Sequence, residues 1–214
     1  MPVTLVSFVA CRLGRLSAWR PEDHSAYKVV RLLGSRRIRG SGWLPRPGCT
    51  PQRLSNAHRH LAFGWFVEKA SPHLEVFRER GRGIALVPFP DPERIVGAPP
   101  SPSRRLAQAL ADSCGLRVLD VLRWRQPMQR CRKLDVQTLA DNLLTTGNVL
   151  QVGCILVADC VSGGAGVQAA SSHLRRHGGT VSLAISAGRA GPDPEAEPFS
   201  PVVAMLEDVT TIDL

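Results

Sequence analysis

From Ile155 to Gly166 the chain reads Ile-Leu-Val-Ala-Asp-Cys-Val-Ser-Gly-Gly-Ala-Gly: an apolar run, a single carboxylate at Asp159, and after two intervening residues a Ser-Gly-Gly turn. A helix is expected to start there and to run through His177. Glycines in such a turn let the backbone approach an anion closely, and the turn's N–H groups and the helix N-terminus then point at it. Ser162, Gly163, Gly164, Ala165 and Gly166 thus form a candidate cradle for a phosphate monoester without a lysine, with the Ser162 hydroxyl as an extra donor. Asp159, at the carboxyl end of the strand, lies where open α/β sheets bind ligands and within reach of ribose hydroxyls if the phosphate is a ribose 5-phosphate. The glycine-rich lysine loop of P-loop nucleotidases and the Gly-x-Gly-x-x-Gly turn of dinucleotide-binding domains are both missing, which argues against those classes.

Other reactive side chains are dispersed. Six cysteines at 11, 49, 114, 131, 154 and 160 include no Cys-x-x-Cys and no grouping with the histidines, so neither a zinc module nor a disulfide framework is supported. Reduced thiols point to the cytoplasm. His173 and His177 are four apart and share a helix face, but without a third ligand they read as packing or surface residues, as do His58 and His60. No protein-held metal site is expected.

The elements that must position the turn follow from periodicity. Val152–Ala158 is the clearest strand, Ile84–Phe89 a second buried one, and Leu116–Leu122 and Thr180–Ser186 two more. Helices are expected over Asn56–Arg80 with a break at Pro72, over Ser103–Cys114 with Gly115 as its stop, and over Asp135–Leu144 with Asp135 as N-cap. Thr145–Asn148 reads as a turn. Strands alternating with helices predict an α/β fold: an open, mainly parallel sheet with helices on both faces. The chain is long enough for one core, divided into a basic N-terminal arm or hood over 1–55, an α/β core over 56–190 and a loose tail over 191–214 that includes Val202–Leu206 as a docking segment.

Charge is uneven. The formal net charge is +9, and residues 1–60 hold 11 Lys/Arg against only Glu22 and Asp23. Apart from a strand over residues 3–10 and a regular stretch over Ala26–Leu33, this region reads as irregular. Its positive field suits phosphorylated metabolites or single-stranded nucleic acid, with Trp19 and Trp43 placed to stack on bases. The apolar start lacks a basic leader and is too short to span a membrane, so no membrane partner is expected.

The signature segment resembles the type I phosphoribosyltransferases, and most closely their ComF-like group, whose pattern is an apolar strand ending in two acids followed by a Thr-Thr-Gly-x-Thr phosphate loop. Ala85-Leu86-Val87-Pro88-Phe89-Pro90 is similar to the family's Val-Pro-x-Pro strand end. Arg123–Arg132 resembles its basic flexible loop, Leu139-Ala140-Asp141-Asn142 the helix before the signature strand, and Tyr27–Arg31 its lysine-containing N-terminal segment. The resemblance covers about residues 25–190. Ala158 stands where the first acid belongs, Gly166 replaces the last threonine, and the family's paired zinc cysteines are missing.

The resemblance implies a fold of the phosphoribosyltransferase type I kind and 5-phosphoribosyl 1-pyrophosphate or a nucleotide as ligand. Mg²⁺ would be bound mainly through the substrate diphosphate. A nitrogen nucleophile would displace pyrophosphate from the anomeric carbon. Asp159 would be the catalytic carboxylate beside the sugar; Phe89, Pro90 and Asp91 would form the pyrophosphate loop; and Arg125, Arg130, Arg132 and Lys133 would supply flexible-loop cations. Two alternatives stay open: a catalytically silent sensor of phosphoribosyl nucleotides, and a protein of the DNA-uptake type that binds single-stranded nucleic acid through residues 1–60. A homodimer is also left open.

Overall fold

The computed structural model describes residues 1–12, 19–46, 48–78, 83–91, 101–128, 134–191 and 197–207. In chain order these form β1 (Val3–Arg12), α1 (Pro21–Leu33), β2 (Gly42–Arg46), β3 (Cys49–Leu54), α2 (Arg59–Ala70), α3 (Glu75–Arg78), β4 (Ile84–Pro88), α4 (Pro102–Cys114), β5 (Arg117–Val118), β6 (Leu122–Trp124), α5 (Val136–Asp141), β7 (Leu143–Thr145), β8 (Gly153–Ser162), α6 (Ala165–Arg176), β9 (Thr180–Gly191) and β10 (Val202–Leu206).

The apolar run around Ile155 becomes β8 and lies inside a six-stranded sheet of order β10-β1-β9-β8-β4-β5. Every pairing is parallel except that of β10 with β1. Strand residues alternate between two cores, as the period of two requires. Leu86, Ile155, Val157 and Ile185 pack in a cluster with residues of α1, α2 and α4. Ala85, Val87, Leu156 and Ala184 pack in a second cluster with residues of α5 and α6. Burial on both faces is why these strands read as continuous apolar runs. The fold is α/β with a mainly parallel sheet flanked by helices, as expected.

Several boundaries differ from the sequence reading. The strand expected over residues 3–10 is not part of a separate arm: β1 sits between β9 and β10 with Val3, Leu5, Val6, Phe8 and Val9 each at most 2% exposed. Nine apolar or small residues in a row are what a strand covered on both faces needs. α1 begins at Pro21, earlier than Ala26, because Asp23 caps it: Asp23 Oδ2 accepts the Arg20 N–H at 2.8 Å. Burial works against the Asp23 charge, but the Arg20 hydrogen bonds and the Arg12 guanidinium hold its carboxyl below the usual value. Leu116–Leu122 is not one strand. Only Arg117 and Val118 pair with β4, and Leu122 starts a separate hairpin, β6 with β7. This hairpin also shortens the helix expected to reach Leu144.

Other signals held. Pro72 ends α2 in a 3-10 turn over Ser71–Leu74, Gly115 stops α4 in the left-handed region (φ 69°), and Asp135 caps α5 by accepting the Thr138 N–H at 2.8 Å. Val202–Leu206 docks as β10. Among the described residues no helix is long and apolar enough to cross a membrane.

His173 on α6 is a packing residue, 6% exposed, its Nε2 3.0 Å from Thr145 Oγ1 and its ring 4.5 Å from that of His177. Burial, then the neighbouring His177, push its pKa down to about 4 against a hydrogen bond to the Ala140 backbone. The unfolded chain therefore binds the proton more readily. Stability should be intact above pH 6.5 and fall as pH drops toward 4, by about 1–3 kcal/mol once solvent screening is allowed for. Urea melts at pH 7 and pH 4.5 measure this, and in His173→Gln the difference should shrink.

Candidate functional site

From β4 the chain crosses through α4 to β5 on one side, and from β8 it crosses through α6 to β9 on the other. α4 and α6 pack in opposite cores. The carboxyl ends of β4 and β8 thus flank the point where the winding reverses, and a crevice at such a point is where open α/β sheets take ligands. A cavity of about 340 Å³ opens there, lined by Phe89, Pro90 and Asp91 from beyond β4 and by Asp159–Ser162, Gly164, Ala165, Gly166 and Val167 from β8 and α6.

β8 runs on to Ser162, paired with β9 through Cys160↔Gly188, Val161↔Arg189 and Ser162↔Ala190. Asp159 therefore lies within the strand, past the end expected at Ala158, and the connection to α6 is only Gly163 and Gly164. The added pairing with the long β9 extends β8 past its last aliphatic run. Both glycines have positive φ, 73° and 87°. A methyl on Gly164 would stand 2.8 Å from Leu206 of β10, and one on Gly166 would stand 3.0 Å from the Phe89 ring. Among the described residues no side chain caps α6, whose first backbone bond is Gln168 N–H to Gly164 O at 3.0 Å. The N–H groups of Ala165, Gly166 and Val167 have no acceptor within the helix ladder, and these residues line the cavity.

Asp159 is held from several sides. Its Oδ1 accepts the Cys160 N–H at 2.9 Å, and its own N–H donates to Ser103 Oγ at 3.3 Å. Burial raises its pKa above the ordinary aspartate value, the Cys160 bond opposes this, Asp91 raises it further, and the Arg36 charge offsets part of the effect. Ala158, where a second acid would complete the pattern, is 3% exposed and points into the core packed by α6.

Phe89 and Pro90 are fixed by β8 and by the β6 hairpin: Phe89 N–H donates to Val157 O at 2.8 Å, Trp124 Nε1 donates to Pro90 O at 3.2 Å, and the two aromatic rings meet edge to face at 5.9 Å. The stretch that resembles the basic flexible loop thus begins in a β-hairpin with a buried anchor, Trp124, on the wall of the site. Arg125 is not brought to the cavity; its Nε donates to Asp141 O at 3.0 Å and its N–H to Asn142 O at 2.9 Å. Arg130, Arg132 and Lys133 lie outside the described residues.

The remaining wall is α1, which sequence reasoning did not connect to the site. Tyr27, Val30, Arg31, Gly34 and Arg36 line the cavity, together with Cys11 and Arg12 from the end of β1. Gly188 makes this approach possible: a methyl there would meet Val30 at 2.6 Å. Arg31 Nη1 donates to the Tyr27 hydroxyl at 3.0 Å, and Nε and Nη2 both donate to Arg37 O at 3.1 Å. Lys28 turns away, its Nζ bound to Ser41 O at 2.6 Å. The signal available in the sequence was the Leu-Leu-Gly-Ser end of α1, a glycine just past an apolar helix face.

Among the described residues no group of three or more His, Cys, Asp and Glu side chains is placed to hold a metal ion. No family model matches the chain, and no curated protein matches it at a significant level.

Proposed function

We propose that this chain is a type I phosphoribosyltransferase-like protein that binds phosphoribosyl diphosphate or a ribose 5-phosphate moiety and transfers the phosphoribosyl group to a nitrogen acceptor with release of pyrophosphate. The observation that carries the reading is the shared cavity at the switch point, where the open amides of α6 and the Asp159 carboxyl face the same space. Its volume of about 340 Å³ lies at the lower end of small-molecule sites, about 300–1,000 Å³, which suits a sugar phosphate better than a larger cofactor.

The 5-phosphate would sit on the N–H groups of Ala165, Gly166 and Val167, with the Ser162 hydroxyl beside it. Asp159 Oδ2, for which the described residues supply no donor, would face the ribose hydroxyls and the positive charge that grows on the ring as the leaving group departs. The diphosphate would extend toward Phe89–Asp91. Among the described residues Asp91 and Asp159 are the acids that line the cavity, a hard-oxygen set too small to cage a metal, which fits a Mg²⁺ held largely by substrate oxygens and water with Asp91 as the protein ligand. That ion would neutralise the departing pyrophosphate. α1 covers the site and would exclude water from the charged centre.

Calorimetry with ribose 5-phosphate, and pyrophosphate release from the phosphoribosyl donor across a panel of nitrogen bases, test the reading. Binding competitive with inorganic phosphate is expected for both sugar phosphates. No heat with either at millimolar concentration would discard the assignment. Binding without turnover would select the silent sensor, a reading favoured by the buried Ala158. Nucleic-acid binding has one supporting contact pattern: Trp43, 48% exposed, lies across from Arg53 in the β2–β3 hairpin, whereas Trp19 is engaged by His24 and Tyr27 at 5.4 Å. A steep salt dependence of single-stranded DNA affinity, lost in Trp43→Ala, is its requirement.

A further inference from the structure

Gly34 closes α1 with φ −72° and ψ 14°, a backbone conformation open to any L-residue. The left-handed position of this helix stop falls one residue later, on Ser35 with φ 58°. Two hydrogen bonds fix that register: Arg36 N–H to Arg31 O at 2.7 Å and Ser35 N–H to Leu32 O at 3.0 Å, the Schellman pattern. Glycine ordinarily takes the left-handed place, because a side chain is strained there. Here the glycine stands one residue too early for its backbone freedom to matter.

What Gly34 provides is space. A methyl at this position would stand 3.1 Å from Asp159 Oδ2 and 3.2 Å from Val30 O. Asp159 cannot turn aside freely, since its Oδ1 holds the Cys160 N–H at 2.9 Å. Any group added to Gly34 must therefore displace Oδ2, the oxygen left for a ligand.

We propose that Gly34 is a positioning residue for sugar recognition: its missing side chain lets the Asp159 carboxyl sit beneath the end of α1 with Oδ2 turned to the ribose hydroxyls, and this demand leaves Ser35 to occupy the left-handed position. The inference rests on the ribose-phosphate reading of the cavity. Gly34 makes no hydrogen bond to the sugar and acts through Asp159. A change here should alter discrimination between sugars and leave the anion cradle on α6 untouched.

The test is calorimetry on the full-length protein with ribose 5-phosphate, 2-deoxyribose 5-phosphate and inorganic phosphate. Wild type should prefer the ribose over the deoxyribose compound by about tenfold, the effect of one hydrogen bond to a carboxylate. Gly34→Ala should reduce that preference to within about twofold with inorganic phosphate affinity unchanged, since only Asp159 moves. Ser35→Gly should keep the full preference and melt at a higher temperature. If Gly34→Ala folds poorly, Gly34→Ala combined with Ser35→Gly restores the helix stop and carries the same expectation. A preference retained in either Gly34 variant overturns the proposal. A wild type that binds inorganic phosphate without favouring ribose overturns the role of Gly34 but leaves the cradle standing, and one that binds none of the three overturns the ribose-phosphate reading and this inference with it.

Discussion

Asp159→Asn should make the ligand-free protein more stable at pH 7 while lowering phosphoribosyl transfer by about a hundredfold to a thousandfold, the usual effect of removing one preorganised electrostatic contact from a buried site. The two effects share a cause. Burial and the nearby Asp91 raise the Asp159 pKa in the folded chain above its ordinary value of 3.8. A carboxyl with a raised folded pKa favours folding at low pH, and that support is lost as pH rises through the folded value. At pH 7 the charged group is therefore a burden on the ligand-free fold. The amide keeps the acceptor for the Cys160 N–H and removes the charge. The melting-temperature gap between variant and wild type should accordingly narrow on acidification toward pH 3.8. On the proposed transferase reading, activity of the wild type should also fail at a higher pH on its acid limb than a solvated aspartate would give, because the carboxylate is the form that would stabilise a cationic sugar. Paired thermal melts and pH–rate profiles decide the matter: an Asp159→Asn protein that melts lower at pH 7, or one that keeps wild-type turnover, would remove Asp159 from the assigned role.

Local signals made the scaffold legible. Val87 and Leu156 announce strands buried on both faces, Gly115 and Asp135 mark a helix end and a helix start, and the Gly163–Gly164 turn marks the start of α6. Each of these is a short-range property, fixed by residues within one turn or one strand. The missed features are long-range. Nothing near Gly34 in the sequence says that it meets Asp159, 125 positions later, because that contact exists only once α1 lies across β8 and β9. Trp124 was hidden for the same reason, its neighbours being arginines while its ring packs beneath Phe89. β1 is a third case. Its apolar run is plain, but the Arg-rich stretch after it suggested an arm, and only the pairing of Val9 with Gly188 shows the strand joining the sheet beside the site. Composition reports the charge of a region and is silent on whether the backbone beneath that charge is paired.

Gly164→Ala should cost about 2–5 kcal/mol of stability, combining about 1–2 kcal/mol for a side chain in the left-handed region with about 1–3 kcal/mol for overpacking. The backbone φ of 87° supplies the first part, and the second comes from Leu206 Cδ2 at 2.8 Å from the added carbon. Leu206 is 9% exposed in the core packed by α6, so its side chain must repack among its neighbours to make room. Gly163 separates the two contributions: its φ is 73°, but nothing lies within 4 Å of an added carbon. Gly163→Ala should then lose only the backbone part, and Gly163→Asn still less, since asparagine tolerates this region. A double-mutant cycle of Gly164→Ala with Leu206→Ala should show positive coupling, as the second truncation opens room for the first. Denaturant melts give each value. Equal losses for the two alanine variants would mean that the turn is limited by backbone conformation alone and that β10 does not brace it. The same series bears on the proposed anion site, because a displaced Gly164 would tilt the amides of Ala165 and Gly166 relative to the cavity. Gly164→Ala should therefore bind inorganic phosphate more weakly than Gly163→Asn, in proportion to the distortion that the Leu206 contact imposes.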